Sequence, residues 1–258
     1  MPLSSATLII IFLWASCVGL IVRNVQLKRR IRRYEKRERE TPPVGQPPPT
    51  KSAEPRERTI LRDRLGLDRG ILPAGGDWRA GDDLLLRVVD WIDRNDPSIV
   101  VELGSGLSTA VIAQALACHG SGHLYTLEHD PTFAEDTEDL LRKMKLNEQV
   151  DLIEAPLVDY GNEGKWYEQE ALDRLPSNID LLFIDGPPHF AGKAPRFPAG
   201  PKLFNRISDS GVVFLDDGHR NKEQKVLRMW ARDFPEFEQI ETGTRKQAVM
   251  LRRIVRDT

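Results

Sequence analysis

Cysteine is almost missing from this chain: Cys17 and Cys118 are the only two in 258 residues. Two thiols cannot build a disulfide framework or a cysteine zinc site, and their scarcity suits a reducing cytoplasm. Charge is missing from the start of the chain. Residues 1–22 carry no charged side chain, and residues 6–22 (ATLIIIFLWASCVGLIV) are nearly all apolar, close to the roughly 20 residues that cross a hydrocarbon core. Basic residues are missing ahead of that run, where MPLSS stands. A cleaved secretory signal would carry them, and Trp14 makes "WASC" a poor lipoprotein processing site. Residues 1–22 are therefore expected to form a single transmembrane helix.

A net excess of positive charge marks one segment. Residues 23–40 hold nine Lys or Arg against three Glu, a net of +6 in a chain of net −2, so the remainder carries −8. A basic juxtamembrane segment belongs on the cytoplasmic side, either as a solvated stalk or against anionic lipid. No basic surface spreads over the rest, and no nucleic-acid partner is expected. Residues 41–55 (TPPVGQPPPTKSAEP) contain six prolines and read as an extended spacer. About 200 residues remain from 56 to 258, enough for one domain with a substantial core.

Within that domain apolar strands alternate with amphipathic helices. Residues 82–95 place Leu85, Val88, Val89 and Ile92 on one helical face. Strands are expected at 98–103, 123–128, 149–153, 179–185 and 211–216. Helices are expected at 108–118, from Pro131 to about Met144 with Asp130 as cap, and more weakly at 166–175. Further helices should cover 197–207 and 222–233. Residues 236–241 and 247–253 flank Thr242-Gly243-Thr244 as a hairpin. The predicted fold class is α/β: a doubly wound, seven-stranded, mostly parallel sheet closed by a C-terminal antiparallel hairpin.

Ligands of such sheets sit beyond the carboxyl ends of the strands. In residues 99–109, IVVELGSGLST, an acid and two glycines stand at that position. Gly104, Ser105 and Gly106 would form a turn that a ligand can approach closely, and Ser108 would open a helix with free N–H groups. Glu128 ends the next strand, where a carboxylate can accept both hydroxyls of a ribose. A nicotinamide dinucleotide would favour glycine or alanine at Thr109 and would not favour Glu102 beside its pyrophosphate.

VELGSGLST followed by YTLEHD resembles the cofactor-binding half of class I S-adenosylmethionine-dependent methyltransferases, over roughly residues 82–253. The resemblance implies S-adenosylmethionine as cofactor, with Glu102 near its cationic methionine end, the Gly104–Ser105–Gly106 turn and Ser108 beneath it, and Glu128 on the ribose.

Asp185 in FIDGPPHF and Asp216-Asp217 in FLDDGHR end two further strands at the same edge. They are candidate ligands of a divalent cation such as Mg²⁺, resembling catechol-type methyltransferases except that Asp217 stands where an amide is usual. Without metal, Asp185, His189 or Asp216 would serve the chemistry as base or charge partner; His219 is a further candidate, and helix capping near Asn221 is the plainer role for the aspartate pair. Trp78, Tyr160, Trp166, Phe190 and Phe197 are candidate walls of an acceptor pocket. The expectation is a membrane-tethered, cytoplasm-facing methyltransferase whose acceptor is a small molecule, a lipid-linked intermediate or a protein. The rival readings are a tethered binding module without turnover and a nicotinamide-dependent oxidoreductase.

Overall fold

The computed structural model describes residues 55–73 and 80–254. The transmembrane helix, basic segment and most of the proline-rich linker expected over residues 1–55 lie outside the described residues, as does Trp78. Among the described residues no helix is long and apolar enough to cross a membrane.

Seven strands form one sheet: β1 (Ile99–Leu103), β2 (His123–Glu128), β3 (Val150–Glu154), β6 (Ile179–Ile184), β7 (Ile207–Leu215), β8 (Phe237–Glu241) and β9 (Val249–Arg253). Their spatial order is β3-β2-β1-β6-β7-β9-β8. The first five run parallel, and β9 joins β7 antiparallel before β8 closes the edge. Order reverses on the two sides of β1, so the switch point lies between β1 and β6. The expected seven-stranded fold with its closing hairpin is therefore present.

Both faces of the sheet are covered, as the continuous apolar runs of β1 and β6 require. On one face Val100, Leu124, Leu181 and Phe183 pack with Leu61 and Leu65 near α1 (Arg56–Arg64), with α2 (Asp82–Asn95) and with α3 (Leu107–His119). On the other, Val101, Leu103, Leu182 and Ile184 pack against Leu172 of α5 (Gln169–Asp173), Leu203 of α6 (Ala199–Leu203) and Trp230 of α7 (Asn221–Asp233). This strict alternation along each strand decides where the site acids point. Helix α4 (Pro131–Met144) begins as its sequence predicts: Pro131 fills the first turn and Asp130 Oδ1 accepts the Thr132 N–H at 2.9 Å.

Two local expectations are corrected, and one helix is added. The helix expected at 166–175 starts only at Gln169, because β5 (Lys165–Tyr167) pairs with β4 (Leu157–Asp159) in a small hairpin that buries Trp166 and Tyr167. The helix expected at 197–207 is α6 followed by a 3₁₀ turn at Phe204–Arg206. Helix α1 was not anticipated; Leu61 anchors it, and Arg58 ties it to Asp82 at 2.8 Å and to the Pro73 carbonyl at 2.8 Å.

Candidate active site

A cleft of about 670 Å³, partly open to solvent, lies over the carboxyl edge at the switch point. Its walls include Gly104, Ser105, Glu128 and Phe133 on one side, and Asp185, His189, Arg196, Asp217 and Arg220 on the other. Backbone hydrogen bonds continue past the strands and bring these residues together: Gly104 donates to Leu127, Asp185 to Leu103 and Asp216 to Ile184, at 2.9, 3.0 and 3.0 Å. Gly104 has φ +96°, and a Cβ there would lie 3.0 Å from the Gly186 nitrogen. Only glycine satisfies both the conformation and the contact.

Glu128 stands where the sequence puts it, at the end of β2 in the cleft wall. Its Oε2 accepts the Ser105 N–H at 2.9 Å and the Ser105 hydroxyl at 3.1 Å, and Oε1 accepts the Asp130 N–H at 2.8 Å. The His129 Nδ1 lies 2.9 Å from Oε1. Because the Ser105 hydroxyl has the Thr137 hydroxyl 3.0 Å away as a second partner, it can yield its place on Glu128 to a ligand hydroxyl.

Glu102 departs from the expectation. One residue short of the strand end, it shares the face of Val100 and points into the helix layer beneath α3 instead of lining the cleft. Its register partner on β2 is Thr126, whose hydroxyl donates to Oε2 at 2.9 Å, and the Thr109 hydroxyl donates to the same oxygen at 2.6 Å. Thr109 Oγ1 in turn accepts the Gly106 N–H at 2.8 Å. The acid therefore positions the glycine turn from below. Ser108 is likewise buried in the first turn of α3 and does not line the cleft. Thr109, noted in the sequence only as a mismatch to dinucleotide sites, is the link in this relay, and the dinucleotide reading is not favoured.

The three candidate metal ligands do converge: carboxylate oxygens of Asp185, Asp216 and Asp217 lie within 4.8 Å of one another. Asp217 is held at φ +58°, a conformation aspartate tolerates better than most residues, and its N–H donates to Asp216 Oδ1 at 2.6 Å. Between the acids sits Arg196, a buried residue that no sequence motif singled out. Its Nη1 donates to the Asp216 carbonyl at 2.9 Å, and its Nη2 to the Asp185 carbonyl and, at 3.0 Å, to Asp185 Oδ1. Only the match between one arginine in the loop after β6 and several strand-end acids could have flagged it. A divalent cation fits this set poorly, since the carboxylates already face basic groups of the chain itself.

Burial pushes the Asp185 carboxyl up to about 8; the Arg196 charge opposes the shift, Asp216 and Asp217 add to it, and Lys246 resists it. Burial and then Asp217 also raise Asp216. His189 lines the cleft with its ring against Phe190. His219 is exposed, with Nδ1 2.9 Å from the Lys246 carbonyl, and takes no part in the wall. The expected aromatic walls are corrected: Trp166 is in the core, Phe197 packs against it, Tyr160 lies under the Lys202 ammonium, and Phe190 is exposed beside the cleft. Phe133 in the first turn of α4 is the aromatic that lines it.

Residues 101–218 match the family model for a methyltransferase domain. A comparison with curated proteins finds no match. Among solved structures, the chain is similar to SAH-bound PaMTH1 from Podospora anserina, at 15% identity and TM-score 0.55, over 78% of this chain and 89% of that one. An O-methyltransferase from Bacillus cereus in complex with SAH gives 16% identity and TM-score 0.52, over 81% and 92%. TomG from Streptomyces achromogenes, an O-methyltransferase of tomaymycin synthesis in complex with SAM, gives 16% and 0.52, over 74% and 85%. At these identities the likeness establishes the fold.

Burial raises Glu102 to about 7, against the hydroxyls of Ser108, Thr109 and Thr126. The folded chain therefore holds this proton between the ordinary carboxyl value of 4.5 and about 7, where the unfolded chain does not. Its stabilising contribution is complete at low pH and is lost as pH rises through 7, a loss of up to about 3 kcal/mol. In Glu102→Gln, whose amide oxygen can still accept the threonine hydroxyls, denaturant unfolding should show that much less loss of stability between pH 5 and pH 8 than the wild type. Equal pH slopes in the two proteins would contradict this account of Glu102.

Proposed function

We propose that this chain transfers a methyl group from S-adenosylmethionine to an oxygen of an acceptor bound in the same cleft. The observation that carries the reading is the shared wall, in which Glu128 and the Gly104 turn face Asp185 and His189 across one opening. The family match and the O-methyltransferase neighbours support it.

The residues fit the cofactor. Gly104 leaves room that a side chain would fill, and Glu128 presents a carboxylate already bonded to hydroxyl and amide donors, suited to the two ribose hydroxyls of an adenosine. When bound, the cofactor supplies a methyl on a sulfonium leaving group. The chain's part is to align the acceptor and take its proton. The sulfonium would supply the methyl to the acceptor oxygen and keep the bonding pair as it leaves, and Asp185 would take the proton of the acceptor hydroxyl. A carboxyl near 8 is matched to that duty better than one near 4, because proton transfer is most efficient when the base titrates close to the working pH. His189 borders the same space.

The apolar run at residues 1–22 and the +6 segment at residues 23–40 support attachment to a membrane with the methyltransferase domain on the cytoplasmic side. An acceptor presented close to that surface, small, lipid-linked or protein, follows from this location.

Thermal melts of the full chain should rise on adding S-adenosylhomocysteine and stay unchanged with NADH, since a ligand of the native state stabilises it. Glu128→Ala should abolish the rise. A rise with NADH alone would overturn the reading. For location, the full chain should sediment with membranes, resist extraction by high salt and dissolve in detergent, while a chain lacking residues 1–22 should stay in the supernatant. Salt extraction of the full chain would exclude a spanning helix.

A further inference from the structure

The acids at the carboxyl edge have the composition of a magnesium site, and Asp216 Oδ2 and Asp217 Oδ1 are buried without a hydrogen-bond partner, but both face the Lys246 ammonium and the remaining acid oxygens are met by other groups of the chain. Arg196 is 2% exposed, with Nη2 3.0 Å from Asp185 Oδ1 and 3.5 Å from Asp217 Oδ2, and with Nε 3.7 Å from Glu223 Oε1. The Arg220 Nη1 lies 2.7 Å from Asp217 Oδ2. The Lys246 ammonium lies 3.3 Å from Asp217 Oδ1 and 3.8 Å from Asp216 Oδ2, and Asp216 Oδ1 holds the Asp217 N–H. Four acids thus meet three bases, a nearly balanced cluster. A divalent ion among them would sit within a few ångströms of the guanidinium and the ammonium, where like charges repel strongly at low dielectric.

The same guanidinium does mechanical work. By bonding the carbonyls of Asp185 and Asp216 it ties the ends of β6 and β7, and its fork fixes one oxygen of Asp185, a geometry that a planar guanidinium holds and a point charge does not.

We propose that Arg196 is the resident cation of this cleft, neutralising the acid cluster and orienting Asp185 in place of a divalent metal ion, so that the site operates metal-free. Arg196 is a positioning residue, acting through Asp185. The role given to Asp185 rests on the methyl-transfer reading; the exclusion of metal does not.

Manganese is the probe. The full chain, stripped with EDTA, is titrated with Mn²⁺ and the free ion is read by electron paramagnetic resonance, with a thermal melt in S-adenosylhomocysteine on each sample. Wild type should leave the free Mn²⁺ signal undiminished. Arg196→Met, which keeps the apolar stem and removes the charge, should bind Mn²⁺ at least about tenfold more tightly, whereas Arg196→Lys, which keeps the charge, should leave the ion as free as wild type does. One tightly bound Mn²⁺ per wild-type chain, lost in Asp216→Asn, overturns the proposal. So does an Arg196→Met chain that still responds to S-adenosylhomocysteine yet gains no Mn²⁺. If Arg196→Met does not fold, the titrations of wild type, Arg196→Lys and Asp216→Asn decide alone. A wild-type melt unmoved by S-adenosylhomocysteine would count against methyl transfer and leave the manganese result standing.

Discussion

Past the last residues of β1, β6 and β7 the ladder of backbone hydrogen bonds runs on for one residue more. Gly104, Asp185 and Asp216 are thereby held side by side at the edge of the sheet. The geometry of the cleft depends on that extension. It sets the glycine turn against the Asp185 loop so closely that Gly104 tolerates no Cβ, and it aligns the acids of neighbouring strands before any side chain contact is made. The order of strands places this junction at the point where the sheet changes direction, so the cleft opens there and nowhere else along the edge needs to be shaped for a ligand.

Electrostatics then divides the cleft in two. On the β1–β2 side the acids are held by hydroxyls and amides, two threonine hydroxyls around the buried Glu102 beneath the cleft and a hydroxyl and two amides around Glu128, with the His129 ring beside Glu128. On the β6–β7 side they are matched by full charges from Arg196, Arg220 and Lys246. The first arrangement leaves hydrogen-bond acceptors that a ligand hydroxyl can enter. The second leaves a carboxyl at Asp185 that burial lifts and a nearby cation restrains, which is the compromise a base needs near neutral pH.

How much of this could be read from residues alone varies by the physical cause at each position. The sheet, its helices and the closing hairpin follow from alternation and capping, which act locally; Asp130 and Pro131 start α4 as their chemistry requires. Glu128 and Asp185 were legible because they sit at or past the strand ends, where orientation is set by the turn that follows. Glu102 was not, because its parity within β1 sends it to the helix face, and a motif says nothing of parity. Arg196 and Phe133 reach the cleft through tertiary packing of a loop and a first helical turn, for which no spacing rule exists. The β4–β5 hairpin was missed because its strands are only three residues each, too short for an alternating pattern to show.

The central claim is that one cleft binds the cofactor through Glu128 and the glycine turn, and performs chemistry through Asp185. A crystal structure of the full chain with S-adenosylhomocysteine tests it most directly. The account predicts the ribose hydroxyls on Glu128 and the sulfur turned toward Asp185. An adenosine bound away from Glu128, or a sulfur facing away from the β6–β7 acids, would contradict it.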